Sequence, residues 1–406
     1  MKFPQIGPAF LVTAAFIGPG TVITASIAGA NYGFALLWAL LFSVIATIIL
    51  QEMTARLGIV TQQGLGENIR QACQTPMLRN LAIVMVLSAV VVGNSAYQSG
   101  NISGASLGLI SIFESSGKSV PFANTLFPIL IGTFAFILLI SGSYKLIEKA
   151  LIALVAVMSL AFMVTFFLTK PNVFVLFSGL FKPTIPDSAT LTVIALIGTT
   201  VVPYNLFLHA ASVSKRWHSP NQLSEARKDL MISIPLGGLI SMAILSTAAT
   251  AFFGQHVEIT SAADIAPSLQ PLFGNMAGVF IGVGLFAAGI SSAVTAPLAA
   301  AFALSGILDL SKNLHSGSFK TIWILVLFLG ILGASLDYKP IAIIWFAQVA
   351  NGILLPIVTI FLLWIMNSKV LGEFKNKPWQ NVLGIIVVFV SLLLSGRSLM
   401  SAFGLI

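Results

Sequence analysis

The stretch FIGPGTVIT, residues 16–24, interrupts an apolar run that is long enough to span a membrane. Gly18, Pro19 and Gly20 are three poor helix formers in succession, and the polar Thr21 follows them. A helix broken inside lipid leaves backbone N–H and C=O groups unpaired, at a cost of several kcal/mol each. Such a break persists where it lines a cavity within the protein or meets a ligand. The stretch therefore predicts either a kink packed inside the protein or a binding site within the membrane.

A second break lies in LIGTTVVPYNLFLHAA, residues 196–211, where Pro203 and Asn205 interrupt the sixth apolar segment. It comes five segments after the first, so the two breaks hold matching positions in two halves of the chain. This pairing is typical of inverted-repeat transporters, whose substrate site lies near the membrane midplane. Either proline alone could equally be a simple kink, since Gly and Pro are frequent in membrane helices. The pair favours a substrate site.

The composition predicts a polytopic membrane protein. Of 406 residues, 57% are hydrophobic and 8% are charged, too few charges to cover a soluble core of this size. Eleven apolar segments of spanning length are present, near residues 7–31, 34–56, 78–105, 122–142, 146–169, 190–213, 230–253, 270–306, 319–335, 341–366 and 379–396. The first segment continues to about Ala30, beyond any plausible signal-peptide cleavage site, and so predicts a retained helix.

No linker or low-complexity tract divides the chain, which predicts a single transmembrane domain over residues 1–406. Within it we expect one repeat over about 7–169, a second over about 190–366 and an extra helix over about 379–396. The expected fold class is an all-α membrane protein with two inverted halves of five helices, in which the first and sixth helices are broken.

The charge distribution predicts topology rather than a nucleic-acid partner. The net charge is +8, but the basic residues are scattered through short loops without a basic patch. Fifteen of the 20 Lys and Arg residues fall on the side of the N-terminus and five on the other. The positive-inside rule then places the N-terminus in the cytoplasm and the C-terminus outside. We expect an integral protein of a bacterial plasma membrane, with the lipid bilayer as its main partner.

Other function classes have little support. The chain has no nucleophile elbow, no GxxxxGK[ST] motif for ATP and no Cys/His cluster, and its single cysteine, Cys73, excludes an intramolecular disulfide. We therefore expect neither an enzyme nor a resident cofactor. A channel stays open as an alternative, although paired breaks without a repeated pore signature favour a secondary transporter with alternating access.

Several motifs carry a family resemblance. GPAFLVTAAFIGPGT and VVPYNLFLHAA resemble the first and sixth helices of Nramp metal transporters, whose usual patterns there are GPAFL with DPGN and MPHNLYLHS. QEMTARLGIVT, GISSAVTAPLAAAFAL, QVANGILLP and MNSKVLGEFKNKPWQNVLG match further segments, so the similarity covers nearly the whole chain. The resemblance implies the LeuT-type fold, with ten helices in two inverted halves plus an eleventh.

The metal ligands of that family are replaced in this chain. Where Nramp proteins use Asp, Asn, a backbone carbonyl and Met, this sequence has Gly18, Thr21, Thr199 and Val202. Divalent transition metals favour mixed oxygen, nitrogen and sulfur ligands, and a cation at the midplane favours a counter-charge. The sequence thus predicts a substrate other than a transition metal, with a divalent metal such as Mn²⁺, Fe²⁺ or Mg²⁺ as the alternative.

The breaks instead offer neutral hydrogen-bonding groups. The half-helix predicted to start near Thr21 points its positive end at the break, so backbone N–H groups of Gly18 and Gly20 could bind an anion. This favours a small organic acid or an amino-acid-like zwitterion. The predicted substrate-binding residues are Gly18, Gly20, Thr21, Thr199, Thr200, Val202, Tyr204, Asn205, Gln348 and Asn351.

The coupling ion is predicted less directly. Alignment with the family places Gln98 and Asn101 at the two acidic positions of its proton route, and amides do not titrate. His209 is retained, either for that route or as a hydrogen-bonded packing residue. Ser291 and Ser292 could supply hydroxyls to a Na⁺ between the first and eighth helices, although small residues at helix contacts more often serve packing. Na⁺ and H⁺ both remain open as coupling ions.

Overall fold

A computed structural model of the chain describes residues 7–9, 13, 17–142, 145–255, 257–336 and 338–402. We number the membrane spans one to eleven along the sequence. The described part of span one is Pro19–Tyr32, and spans two to five are Leu37–Thr61, Pro76–Ser115, Ala123–Ser141 and Lys145–Thr169. Span six consists of two helices, Thr190–Thr200 and Pro203–Arg216. Spans seven to eleven are Leu223–Phe252, Ala277–Leu308, Gly317–Ala334, Pro340–Met366 and Pro378–Ala402.

Ten helical stretches in the described part of the chain are long and apolar enough to cross a membrane. The protein is therefore an integral membrane protein, as predicted. The described helix of span one has 14 residues, and most of the predicted segment before Ile17 lies outside the described residues. Two short helices, Leu65–Ala72 and Val173–Phe181, were not predicted because they fall between the long apolar segments.

The start of span eight differs from the prediction. The apolar pattern suggested a start at residue 270, but Gln270–Phe273 is a separate short helix. It ends at Gly274, whose φ of 52° lies in the left-handed region that glycine tolerates best. The long helix begins only at Ala277.

Span one is broken at Gly18, which caps the helix Pro19–Tyr32 in an extended conformation, with φ −111° and ψ −174°. Proline suits the first position of a helix, because its missing N–H would be unpaired there anyway. The half-helix thus begins at Pro19 rather than near Thr21. Gly20 and Thr21 lie in its first turn.

Span six is broken at Val201 and Val202. The first half ends at Thr200, Val202 is extended with φ −81° and ψ 121°, and Pro203 is the first residue of the second half. The residue before a proline is pushed towards extended conformations, which explains why the helix stops here. Both predicted breaks are therefore present.

Close backbone contacts hold the broken helices against their neighbours. A Cβ at Gly198 in span six would overlap the carbonyl oxygen of Gln348 in span ten, and one at Gly352 would approach the carbonyl of Ile194 to 2.6 Å. A Cβ at Gly104 in span three would overlap the ring of Pro19. Small residues let membrane helices approach closely, which is their main means of association in lipid.

We predict that Gly198→Ala destabilises the fold, because the added methyl group meets backbone atoms that cannot rotate away. The expected cost is roughly 1–3 kcal/mol, typical of overpacking. The measurement is the melting temperature of purified protein in detergent. Gly317→Ala is the matched control, since a Cβ there meets nothing within 4 Å. Equal melting temperatures for the two variants would contradict the close contact between spans six and ten.

Candidate functional site

The two breaks meet through a hydroxyl pair. Thr21 Oγ1 of span one lies 2.8 Å from Thr199 Oγ1 of span six, and either atom can be the donor. Both residues are buried, although they are 178 positions apart in the sequence. The contact brings together two of the residues predicted to bind substrate.

The end of the first half of span six presents oxygen atoms to the break. The Thr200 hydroxyl donates to the Leu196 carbonyl at 3.2 Å, and the Val201 N–H donates to the Ile197 carbonyl at 2.8 Å. Pro203 has no N–H, so the Thr199 carbonyl lacks the donor that a continuous helix would provide four residues on. The C-terminal end of a helix also carries partial negative charge. This end of the break therefore favours a cation.

Span ten covers the other side of the break. The Gln348 amide lies directly against Gly20, where a Cβ would overlap its Nε2 atom. Gln348 Nε2 donates to the Ile344 carbonyl of its own helix at 3.3 Å, while its Oε1 is buried without a hydrogen-bond partner among the described residues. Asn351, three residues on, likewise has a buried Nδ2 without a partner there.

Asn205 and Tyr204 begin the second half of span six. Asn205 is 1% exposed, and both atoms of its side-chain amide lack hydrogen-bond partners in the described part of the chain. Buried polar atoms of this kind are uncommon in folded proteins and often mark the place of a water or an ion. The ring of Tyr204 packs against Tyr97 of span three, with centroids 5.3 Å apart.

The structure gives a different reason for the glycine at position 20 from the one predicted. The sequence suggested that a glycine here exposes its backbone N–H to an anion, but Gly20 lies in a helical turn with ordinary negative φ. It is small because the Gln348 amide occupies the space of a side chain. Gly18 differs, since its carbonyl accepts the N–H groups of Thr21 and Val22 at 3.1 and 3.2 Å.

The predicted proton-route positions lie on the side of span three that contacts span eight. Gln98 Nε2 donates to the Ala293 carbonyl of span eight at 2.9 Å, and Gln98 Oε1 has no partner among the described residues. Asn101 is buried next to Gly289, where a Cβ would approach the Asn101 carbonyl to 2.7 Å. The Gln98 amide thus joins span three to span eight, whereas the Nδ2 atom of Asn101 is buried without a hydrogen-bond partner among the described residues.

His209 is held by span two. Its Nδ1 lies 3.3 Å from Thr54 Oγ1, which also donates to the Gln51 carbonyl at 3.0 Å. Sequence reasoning missed Thr54 and Gln51, although both belong to the motif QEMTARLGIVT. The available signal was the presence of polar residues inside an apolar helix, which mark functional or packing contacts.

The residues proposed for sodium stay a prediction. Ser292 is buried and Ser291 is half-buried. The carbonyls of both accept the Thr295 hydroxyl, at 3.4 Å for Ser292 and 3.1 Å for Ser291.

The Nramp-type metal ligands stay missing in the structure. Val202 caps the second half of span six with an aliphatic side chain that offers no ligand atom. Among the described residues, no group of three or more His, Cys, Asp and Glu side chains could hold a metal ion.

The comparison with protein families decides which family this is. The model of the natural resistance-associated macrophage protein-like family, Nramp, matches residues 9–401. The chain belongs to the Nramp family. Relatives of this Nramp protein include the divalent metal cation transporters MntH of Verminephrobacter eiseniae and Klebsiella pneumoniae. The former is 27% identical, with all of this chain and 90% of the relative covered. The latter is also 27% identical, with 98% and 94% covered.

Solved structures show the same fold. A manganese transporter of Eremococcus coleocola is similar with a TM-score of 0.78 and 22% identity, over 97% of this chain and 86% of the other. MhsT, solved in complex with L-phenylalanine, is similar with a TM-score of 0.64 and 16% identity, over 98% of both chains. The predicted LeuT-type fold is confirmed. The repeat boundaries and the orientation of the termini stay predictions.

The relatives also correct one prediction. The expectation of an organic acid or amino-acid-like substrate is wrong, because the relatives are named divalent metal cation transporters. The error came from assigning the neutral hydroxyl, amide and backbone groups at the breaks to an anion, with a divalent metal kept only as the alternative. Threonine hydroxyls, amide oxygens and backbone carbonyls can accept a cation as well as a hydrogen bond. The family is one of transporters, which agrees with the class predicted from the paired breaks.

We predict that Gly20→Ala and Gln348→Ala are energetically coupled. The added methyl group at Gly20 must displace the Gln348 amide, so Gly20→Ala alone should lower the melting temperature. In the Gln348→Ala background the same change should cost much less, since residues in contact give non-additive effects. Additive shifts in melting temperature would argue against the contact.

Proposed function

We propose that this Nramp protein is a secondary transporter of a divalent metal cation in a bacterial plasma membrane, and that the cation binds between the two breaks. The names of the relatives support the substrate class. The observation that carries the proposal is the 2.8 Å contact between the Thr21 and Thr199 hydroxyls, which joins the breaks beside the carbonyl that Pro203 leaves without a donor.

The proposed ligands are neutral oxygen atoms. Thr21 and Thr199 supply hydroxyl oxygens, Thr199 also supplies its carbonyl, and Gln348 supplies Oε1 from span ten. Rotation of the two hydroxyls away from each other would direct their lone pairs at one cation. The partial negative charge at the end of the first half-helix of span six adds to the attraction.

The ligand set favours hard cations over soft ones. Mg²⁺ and Mn²⁺ bind oxygen ligands and keep several waters, whereas a thioether favours softer metals, and Val202 cannot provide one. No ligand in this set is charged, so the cation would retain more of its hydration shell and bind more weakly than at a carboxylate. The side-chain amide of Asn205, which has no partner among the described residues, is suited to hold one of the retained waters.

We predict that Thr199→Val lowers metal transport more than Thr200→Val. The first change removes a hydroxyl that lies between the breaks. The second removes one that already donates to its own helix. We expect Thr199→Val to raise the KM for Mg²⁺ or Mn²⁺ uptake into proteoliposomes about tenfold, equivalent to ~1.4 kcal/mol.

Thr200→Val is the matched control for Thr199→Val, because the two variants make the same isosteric change at adjacent buried positions. The melting temperature of each variant separates lost ligands from lost folding. If Thr200→Val weakens uptake as much as Thr199→Val does, or if neither changes it, the hydroxyl between the breaks is not a ligand.

The proposed metal transport does not send protons along span three. Gln98 and Asn101 are amides and cannot exchange protons near neutral pH. His209 lies in a hydrogen-bonded contact with Thr54 of span two, outside the set of proposed ligands. Metal entry would then be electrogenic, driven by the membrane potential, at about 2.3 kcal/mol per charge per 100 mV.

We predict that Gln98→Met leaves the pH dependence of metal uptake unchanged. Methionine has a similar volume and removes the amide that could bind water in a proton path. A pH-sensitive dye inside the proteoliposomes measures proton entry while metal uptake is followed in parallel. Loss of a metal-dependent proton current in Gln98→Met would place the amide in a proton pathway.

A further inference from the structure

A groove of about 460 Å³ opens between spans two, seven and eleven, away from the breaks. Its walls are mainly aliphatic, from Ile48 and Ile49 of span two, Leu230 and Met231 of span seven and Leu383 of span eleven. Its rim carries Glu52, Arg227 and Lys377. The groove therefore runs from a charged edge into an apolar interior.

The rim is positively charged. Glu52 accepts hydrogen bonds from Arg227, at 2.7 Å from Nη2 and 3.1 Å from Nε, and from Arg56 Nη2 at 3.0 Å. One carboxylate thus faces two guanidinium groups, and Lys377 adds a third cation. Lys377 forms no ion pair with a carboxylate of the described residues. Positive charge is left over for an anionic ligand.

The position of the groove matches the boundary between lipid headgroups and acyl chains. Trp379 lines it and is 58% exposed, and tryptophan concentrates at membrane interfaces. Met231 is 60% exposed, and Ile48 and Ile49 lie about one helical turn from Glu52 toward the middle of span two. Charged groups at the interface with aliphatic groups behind them match the two parts of a phospholipid.

We infer that this groove is a binding site for an anionic phospholipid. One acyl chain lies along Ile49, Leu230 and Leu383, and the phosphate is bound by Lys377 and by the outer face of Arg227. Basic pockets between membrane helices are the usual sites for such headgroups. The predicted topology places this lipid in the cytoplasmic leaflet, where anionic lipids attract basic segments.

The surplus of cations favours an anionic lipid over two other occupants. A zwitterionic lipid would bring its own cation towards Lys377 and Arg227. A second copy of this chain would have to cover the rim with matching carboxylates, but Glu52 already accepts from two arginines. The site is separate from the breaks, so the inference does not depend on the nature of the transported substrate.

The test compares lipids on the full-length protein in neutral detergent. Phosphatidylglycerol and phosphatidylcholine with identical acyl chains are titrated, and the melting temperature is followed, because a ligand that binds the folded state stabilises it. We expect a larger rise with phosphatidylglycerol, and the difference should shrink as salt is added. Native mass spectrometry should show phosphatidylglycerol retained in preference.

Two variants locate the site. Lys377→Gln should reduce the phosphatidylglycerol shift to that of phosphatidylcholine, while Lys369→Gln, in the same loop but away from the groove, should leave it unchanged. Ile49→Trp fills the groove and should weaken both lipids. The melting temperature without lipid shows whether each variant is folded.

Equal shifts for the two lipids in wild type would overturn the inference, as would equal losses in Lys377→Gln and Lys369→Gln. A stability that rises with protein concentration, together with a dimer by light scattering and no preference among lipids, would instead assign the groove to a second copy of the chain.

Discussion

A broken helix inside lipid must find partners for its freed backbone groups, and this constraint organises the rest of the molecule. Both breaks lie in the interior, where they face each other across the 2.8 Å contact of Thr21 with Thr199. Spans three and ten cover them through close contacts at Gly104 and Gly198. The Thr199 carbonyl freed by Pro203 and the buried oxygen of Gln348 remain available within this enclosure. A ligand-binding site therefore follows from the cost of the breaks themselves.

Among the described residues, the polar side chains around the two breaks are uncharged. The polar side chains at the breaks are threonines, amides and Tyr204, which packs against Tyr97 of span three. Neutral oxygens can hold a divalent cation only if water supplies part of the coordination, because a fully dehydrated ion at the midplane needs a counter-charge. Weak binding is compatible with transport, since a carrier must also release its substrate. Under the proposed function, the neutral amides of Gln98 and Asn101 offer no titratable group for proton transfer along span three.

Much of the fold could be predicted from the sequence, because apolar segments of spanning length and two proline-marked breaks leave few alternatives. The broken sixth span was identified from Pro203, and the structure has it within a residue or two of the expected position. The contacts of the site were less accessible. Nothing in the sequence shows that Gln348 fills the space beside Gly20, since the two residues lie far apart and meet only after packing. The substrate class was misjudged because residue types show which charges are missing, whereas carbonyls and hydroxyls become ligands through backbone geometry.

The ion pairs of the described residues lie at one end of the bundle. The ion pairs found in the described residues join Arg56 and Arg227 to Glu52, Lys312 to Glu67, and Arg70 to Asp309. All of them lie on the side that the positive-inside rule assigns to the cytoplasm. Exposed pairs such as Arg70–Asp309, at 3.6 Å, contribute about 1 kcal/mol or less. The Glu52–Arg56 pair differs, because Arg56 is only 3% exposed and also donates to the Phe374 carbonyl at 2.8 Å, so breaking that pair would leave a buried charge without its partner.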